Sequence, residues 1–192
     1  MNQRANAHLH VIERVRELAQ DARQTLPVLE RDFEAVSVIA ETPMLLVANA
    51  TTGPKTLAEA ISLAKAKPGA LTLSSTTRGS IPHLTAELLS QAVDAQFTIV
   101  PMAQSGQALQ AIINGDSQVS VDGIAPLLPL VKAGRLNALA VGSPKRHPVA
   151  PDVATFEELG IKGVEVDLWY AFFLPAKAPQ AVTSRLNNEL VA

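Results

Sequence analysis

Side chains that could bind a small anion are concentrated in the stretch "SSTTRGSIPH" of residues 74–83. Hydroxyl groups and free amides at the start of a helix, with a guanidinium nearby, are suited to a carboxylate. The alternative is that the hydroxyls only cap the helix and Arg78 is solvated, and that His83 is a packed or capping residue; the pattern leaves both readings open. The candidate ligand contacts here are Ser75, Thr76, Thr77, Arg78, Gly79, Ser80 and His83.

Two later loops offer further candidates. Ser105 and Gly106 precede a predicted helix in "VPMAQSGQALQAI", a kind of turn that is common in any α/β protein. Asp122 ends a predicted strand in "VSVDG". Its carboxylate either caps the next helix or accepts hydrogen bonds from an amine or hydroxyl of a ligand.

The chain lacks a recognisable catalytic set. Asp122 and His83 are the only plausible acid–base partners in these loops, and neither a G-x-S-x-G motif nor a third orienting group accompanies them. "GPKTLAEA" does not match a phosphate-binding loop. There is no cysteine, and His8 and His10, spaced i, i+2, would point to different sides of a helix. We therefore expect no enzyme activity, no cofactor and no metal.

Composition narrows the class of protein. The 192 residues are 47% hydrophobic, with 18 acidic and 16 basic residues, which suits one α/β domain or two small lobes. No basic stripe interleaved with aromatics is present, so nucleic acid is not an expected partner. No apolar run approaches the roughly 18 to 20 residues that span a bilayer. The first twenty residues do not resemble a secretory signal, so either the protein is cytoplasmic or its native start lies elsewhere.

The pattern of helices and strands brings the three loops to one edge of a sheet. An amphipathic helix is predicted at 7–26, and two strands at 35–40 and 44–50, before a helix that the capping box of Thr56 and Glu59 opens. The later segments alternate, and alternation of this kind predicts a parallel, doubly wound sheet with ligands at the carboxyl ends of its strands. Strands are predicted at 70–74, 97–100, 118–122, 136–142 and within 164–176, and helices at 80–92, 105–114, 124–133, near Thr155 and from Pro179.

From about Asp32 onward, roughly four fifths of the chain resembles the extracytoplasmic solute receptors of tripartite tricarboxylate transporters, the Bug family. The order and spacing of several blocks carry the resemblance, although each block is weak alone. These blocks are "RDFEAVSVIAETPMLLVAN", "TLAEAISLAKAKPGALTLSS", "GSIPHLTAELL", "AIINGDSQVSVDGIAPLLPLVKAGRLNALAVGSPKR" and "PDVATFEELGIKGVEVDLWYAFFLPAKAPQAVTSRLNNEL".

The resemblance implies a periplasmic-binding-protein fold of two doubly wound α/β lobes around a cleft. It places residues 28–100 and 169–192 in a partial first lobe and residues 101–168 in the second, after an N-terminal helix within residues 1–27. It implies a periplasmic receptor that binds a small organic acid, a di- or tricarboxylate or an aromatic carboxylate, and presents it to a membrane permease. The 75–80 loop with His83, the Ser105–Gly106 turn and Asp122 match the ligand loops of the family.

The chain also departs from the family pattern. Met102-Ala103-Gln104 stands where the family has Tyr-Lys-Gly, and Thr77-Arg78-Gly79 where it has Gly-Asn-Gly, which predicts an altered ligand or a loss of binding. The family's signal peptide and Pro-Gly-Gly strand are not found here, so we expect a truncated member with an open sheet edge that favours a homo-oligomer. Two alternatives stay open, an effector-sensing domain of a transcription regulator and a remnant that binds nothing.

Overall fold

A computed structural model describes residues 31–191 of the chain. Eleven helices and strands lie in this part, and strands alternate with helices through most of it. The strands are β1 (Phe33–Asn49), β2 (Thr72–Ser75), β3 (Thr98–Pro101), β4 (Val119–Gly123), β5 (Leu136–Val141) and β6 (Asp167–Pro175); the helices are α1 (Leu57–Ala66), α2 (Ile81–Ala92), α3 (Ser105–Asn114), α4 (Ile124–Lys132) and α5 (Gln180–Leu190).

The described residues form two compact units. The large unit is Thr42–Leu168, and the described part of the small unit is residues 31–41 and 169–191. The resemblance predicts that residues 28–100 lie in one lobe with residues 169–192. In the structure, residues 42–100 lie in the large unit with residues 101–168. The reason is strand pairing, because β2 is hydrogen-bonded to both β3 and β4. The assignment of each unit to a lobe of a two-lobed protein stays a prediction. The helix predicted at 7–26 lies outside the described residues.

The sheet of the large unit has the strand order β3-β2-β4-β1-β5. β2 runs parallel to β3 and β4, which confirms the α/β class, but β1 runs antiparallel to both β4 and β5. The expectation of a wholly parallel sheet was therefore wrong for β1. Met44, in the second half of β1, lies opposite Gly123, the last residue of β4, so β1 enters this sheet at the edge where β4 ends.

Both faces of the sheet are buried, because the side chains of β1 alternate between two apolar cores. Met44, Leu46 and Ala48 pack in the core that contains residues of α1 and α2. Leu45 and Val47 pack on the opposite side, with residues of α3 and α4. The helices therefore cover both faces, as a doubly wound fold requires.

Local signals explain most helix boundaries. Thr56 Oγ1 accepts a hydrogen bond from Glu59 N, as the capping box predicted, and Ser80 caps α2 in the same way. Gly115 ends α3 in the left-handed conformation, with φ of 84°. The helix predicted near Thr155 is instead a series of turns, although its capping pair forms: Thr155 N donates to Glu158 Oε2 at 3.0 Å and Glu158 N to Thr155 Oγ1 at 3.1 Å.

The small unit contains the first part of β1, most of β6, and α5. β6 pairs with β1. Asn187 of α5 donates from Nδ2 to the carbonyl of Val36 at 2.6 Å, which fixes the helix to the strand. Several large apolar side chains of this unit are exposed; they are Phe33, Ile39, Tyr170, Phe172, Val182, Leu186, Leu190 and Val191. No helix among residues 31–191 is both long and apolar enough to cross a bilayer.

Candidate functional site

Three of the predicted loops meet at one edge of the large unit's sheet. Ser75, the last residue of β2, lies beside Pro101, the last residue of β3, and Ser74 lies beside Ser120 of β4. Since these strands are parallel, the loops that follow them emerge at the same edge. The amide of Met102 donates to Ser75 O at 2.9 Å, so the first two loops are joined directly.

Short hydrogen bonds shape the loop of residues 75–80. The hydroxyls of Thr76 and Ser80 lie 2.8 Å apart, and the Ser80 amide donates to Thr77 O at 2.9 Å. Gly79 adopts φ of 81°, a conformation that favours glycine, while an added Cβ would meet nothing within 4 Å. Glycine is therefore required here by the backbone conformation and not by space.

The second loop is tied to the first across the edge. Thr77 Oγ1 donates to the carbonyl of Ala103 at 3.0 Å. Gln107 Oε1 accepts the Ala103 amide at 3.2 Å. The sequence reasoning missed Gln107, although its position three residues after the N-cap residue Gln104 is where the Gln or Glu of a capping box stands.

Several amides at the start of α2 are already used inside the loop. Ser80 Oγ accepts the His83 amide at 3.4 Å, and His83 Nδ1 accepts the Gly79 amide at 3.3 Å. Pro82 has no amide hydrogen to offer. The first turn of α2 therefore presents fewer free amides to an anion than the sequence predicts.

His83 is buried, with 6% of the residue exposed. Its Nε2 lies 3.6 Å from Glu87 Oε1, one turn further along α2. Both ring nitrogens thus face groups of the protein. In this arrangement the imidazole supports the loop, and a ligand at the edge would not reach it without displacing its neighbours.

Thr77, Arg78 and Gly79 are the exposed part of the first loop. No other described residue forms a hydrogen bond or ion pair with the Arg78 side chain. An unpaired guanidinium carries five N–H donors and a permanent positive charge, which suits a carboxylate. The loop therefore presents one cationic group and one hydroxyl-bearing residue at the edge.

Ser105 and Asp122 are brought together by the fold. The hydroxyl of Ser105, at the start of α3, donates to Asp122 Oδ2, and the Gly123 amide donates to Oδ1 at 2.8 Å. Asp122 does not cap α4: Gly123 is the N-cap residue, and no side chain bonds to the free amides of that helix. Gly106 is exposed, and an added Cβ there would meet nothing within 4 Å.

A further polar group at this edge was not predicted. Thr42 Oγ1 is shielded from solvent and has no hydrogen-bond partner among residues 31–191. It lies 3.6 Å from the position that a Cβ on Gly123 would occupy. No sequence signal marks Thr42, since it stands in an ordinary strand segment. Within the described part of the chain, no group of three His, Asp or Glu side chains is placed to hold a metal ion.

Comparison with known proteins identifies the family to which the chain belongs. The family profile described as "Tripartite tricarboxylate transporter family receptor" matches residues 19–191. This match begins earlier than the resemblance at about Asp32. An Agrobacterium vitis protein of the TAR-I ttuE-ttuC′ intergenic region is 30% identical over 159 residues, which are 83% of this chain and 46% of that protein.

Solved structures agree with the α/β fold. A Rhodopseudomonas palustris protein solved with adipate matches with a TM-score of 0.78 and 30% identity, over 84% of this chain and 54% of that one. MatC from the same organism, with bound malate, matches with a TM-score of 0.74 and 30% identity, over 83% and 54%. The chain spans about half the length of these proteins. Its fold is that of periplasmic binding proteins, and the chain belongs to the receptor family of tripartite tricarboxylate transporters.

Proposed function

We propose that the chain contributes to a solute-binding receptor for a small organic carboxylate, with the edge formed by the loops after β2, β3 and β4 as one side of its ligand site. The observation that carries this proposal is the exposed Arg78, which has no hydrogen-bond or ion-pair partner in the described part of the chain and stands in a loop fixed by hydrogen bonds of the residues around it. The two similar proteins solved with adipate and with malate, both dicarboxylates, support the choice of ligand class.

The residues of this edge take different parts in the proposal. Arg78 would pair with a carboxylate of the ligand, because charge-assisted hydrogen bonds are stronger than neutral ones. Thr77 offers a hydroxyl oxygen and Gly79 an open surface beside it. Ser75, Thr76, Ser80 and His83 hold the loop, and Ser105 with Asp122 holds the neighbouring one, with Gly106 leaving room at its surface.

The wider role rests on family membership. We propose that the receptor works in the periplasm and delivers its acid to the permease of the transporter. An effector-sensing domain of a regulator and a non-binding remnant are the competing functions. Binding of an acid argues against the remnant, and loss of uptake on deletion of the gene, with transcription unchanged, argues against the sensor.

Ligand-dependent thermal stability tests the proposal directly. A ligand at 100 times its Kd stabilises the native state by about 2.7 kcal/mol, which raises Tm by several degrees. The panel contains adipate, malate, a tricarboxylate and an aromatic carboxylate, and equilibrium dialysis confirms any acid that raises Tm. If no acid of the panel raises Tm or is retained in dialysis, the proposed function is wrong.

Paired substitutions then locate the site. Arg78→Gln should weaken binding of the retained acid by roughly tenfold or more, because it removes the only proposed cationic contact. Lys65→Gln is the matched control, because it also removes one positive charge. Lys65 lies at the opposite edge of the sheet, where it lines a shallow depression together with Gln96, a residue just before β3. Equal loss in both variants would indicate a general effect of net charge.

A further inference from the structure

Three helices of the large unit begin with the same hydrogen bond. In each, the third residue of the helix accepts, through its side chain, the amide of the residue just before the N-cap. This arrangement closes the loop onto the helix; it differs from a capping box by one residue, because there the third residue accepts the amide of the N-cap itself. The pairs are Lys55 N to Glu59 Oε2 at 2.8 Å, Gly79 N to His83 Nδ1 at 3.3 Å and Ala103 N to Gln107 Oε1 at 3.2 Å.

The pair at α2 differs from the other two in its acceptor. Glu59 and Gln107 are exposed, whereas His83 is buried. A neutral imidazole accepts through one nitrogen and donates through the other. Since Nδ1 accepts the Gly79 amide, the proton is on Nε2, which faces Glu87 Oε1 at 3.6 Å.

The bond from Gly79 to His83 fixes the exposed end of the ligand loop. The Gly79 amide lies in the plane of the peptide that joins it to Arg78, so its direction constrains the backbone of Arg78. Other bonds of the loop attach Thr76 to Ser80, the Ser80 amide to Thr77 O, and Thr77 to Ala103. Without the histidine, the Gly79 amide loses the one hydrogen bond that it makes among residues 31–191, and only the turn bond from Ser80 to Thr77 still spans the Arg78–Gly79 peptide.

We infer that His83 is a positioning residue, which holds the Arg78–Gly79 peptide in the orientation that binds the carboxylate and does not contact the ligand itself. This inference rests on the proposed function of the loop. It assigns His83 a role apart from those of Thr77 and Arg78, although all three were predicted as ligand contacts. The inference requires a hydrogen-bond acceptor at position 83, and it does not require an imidazole ring.

Two variants separate the acceptor from the bulk of the side chain. His83→Gln keeps an acceptor at the position where Gln107 already forms the equivalent bond in α3, and His83→Leu keeps a buried side chain without one. We expect His83→Leu to increase the exchange rate of the Gly79 amide and to weaken acid binding by about three- to tenfold, the effect of one hydrogen bond. His83→Gln should restore most of both.

The wild-type chain provides a measurement that does not depend on any variant folding. Nitrogen NMR of the imidazole at neutral pH should show hydrogen on Nε2 and none on Nδ1. A proton on Nδ1 would overturn the inference, as would an unchanged Gly79 exchange rate in His83→Leu, or a folded His83→Gln that binds as weakly as His83→Leu. A wild-type chain that retains no acid overturns the proposed function instead, and the role of His83 is then judged on the tautomer and the Gly79 exchange rate.

Discussion

The hydroxyl of Ser105 donates to the carboxylate of Asp122, joining the first residue of α3 to the end of β4 across 17 positions of sequence. The same carboxylate accepts the amide of Gly123. Two loops of the candidate site are thus held by one acidic group. The bond is partly buried, so water does not fully replace it when one partner is removed.

Ser105→Ala should lower the free energy of unfolding by about 1 to 2 kcal/mol, because a hydrogen bond to a charged group is lost. Urea denaturation measures the change. Ser143→Ala is the control, since the Ser143 hydroxyl bonds to a backbone carbonyl in an exposed loop. An equal effect of the two substitutions would contradict a special role for the bond to Asp122.

Removal of the Asn49 side chain should have a larger effect on stability. Its side-chain amide donates to Ile112 O at 2.7 Å and its oxygen accepts the amides of Thr51 and Thr52 at 2.8 and 2.9 Å. The residue is buried, so Asn49→Ala leaves these groups unpaired and should cost about 2 to 4 kcal/mol. Calorimetry should give a much smaller change, within about 0.5 kcal/mol, for the exposed Asn114→Ala.

Gly53 and Gly79 should respond differently to alanine. A Cβ on Gly53 would lie 2.5 Å from Gln118 O and 2.8 Å from the Asn49 backbone, so the backbone has to move. A Cβ on Gly79 would meet nothing, and only the left-handed φ costs free energy, about 1 to 2 kcal/mol. We expect Gly53→Ala to lower Tm clearly more than Gly79→Ala does; the reverse order would contradict the close approach at Gly53.

Glu158 predicts a pH dependence of stability. The amide of Thr155 and the Arg146 side chain hold the pKa of this carboxyl below its ordinary value of 4.5. A lowered folded-state pKa gives stability that is present above the unfolded-state value and lost as the pH falls through the folded-state value. Glu158→Gln should therefore lower Tm at pH 7, and the difference from wild type should be smaller at about pH 3.

The control for this prediction is the neighbouring Glu157→Gln, which removes an equal charge from an exposed side chain. Its Tm difference from wild type should change less between the two pH values. The explanation through Thr155 and Arg146 would be wrong if both variants followed the same pH profile.

Local patterns predicted the helices of the large unit well, and long-range pairing less well. Thr56 and Ser80 are caps whose partners stand three residues away, so the sequence contains the whole interaction. The direction of β1 could not be predicted, because the alternation of Met44 to Ala48 is the same whichever way the strand runs. Ser105 and Asp122 were each predicted as site residues, but their bond depends on the register of separate strands.

The antiparallel position of β1 between β4 and β5 also has a consequence for synthesis on the ribosome. Leu46 pairs with Val121, so β1 is made 75 residues (121 minus 46) before its first partner in the sheet. At about 5 to 20 residues per second, the apolar run "MLLVA" waits several seconds for that partner. A chaperone that shields short apolar segments would therefore act on this run before β4 leaves the exit tunnel.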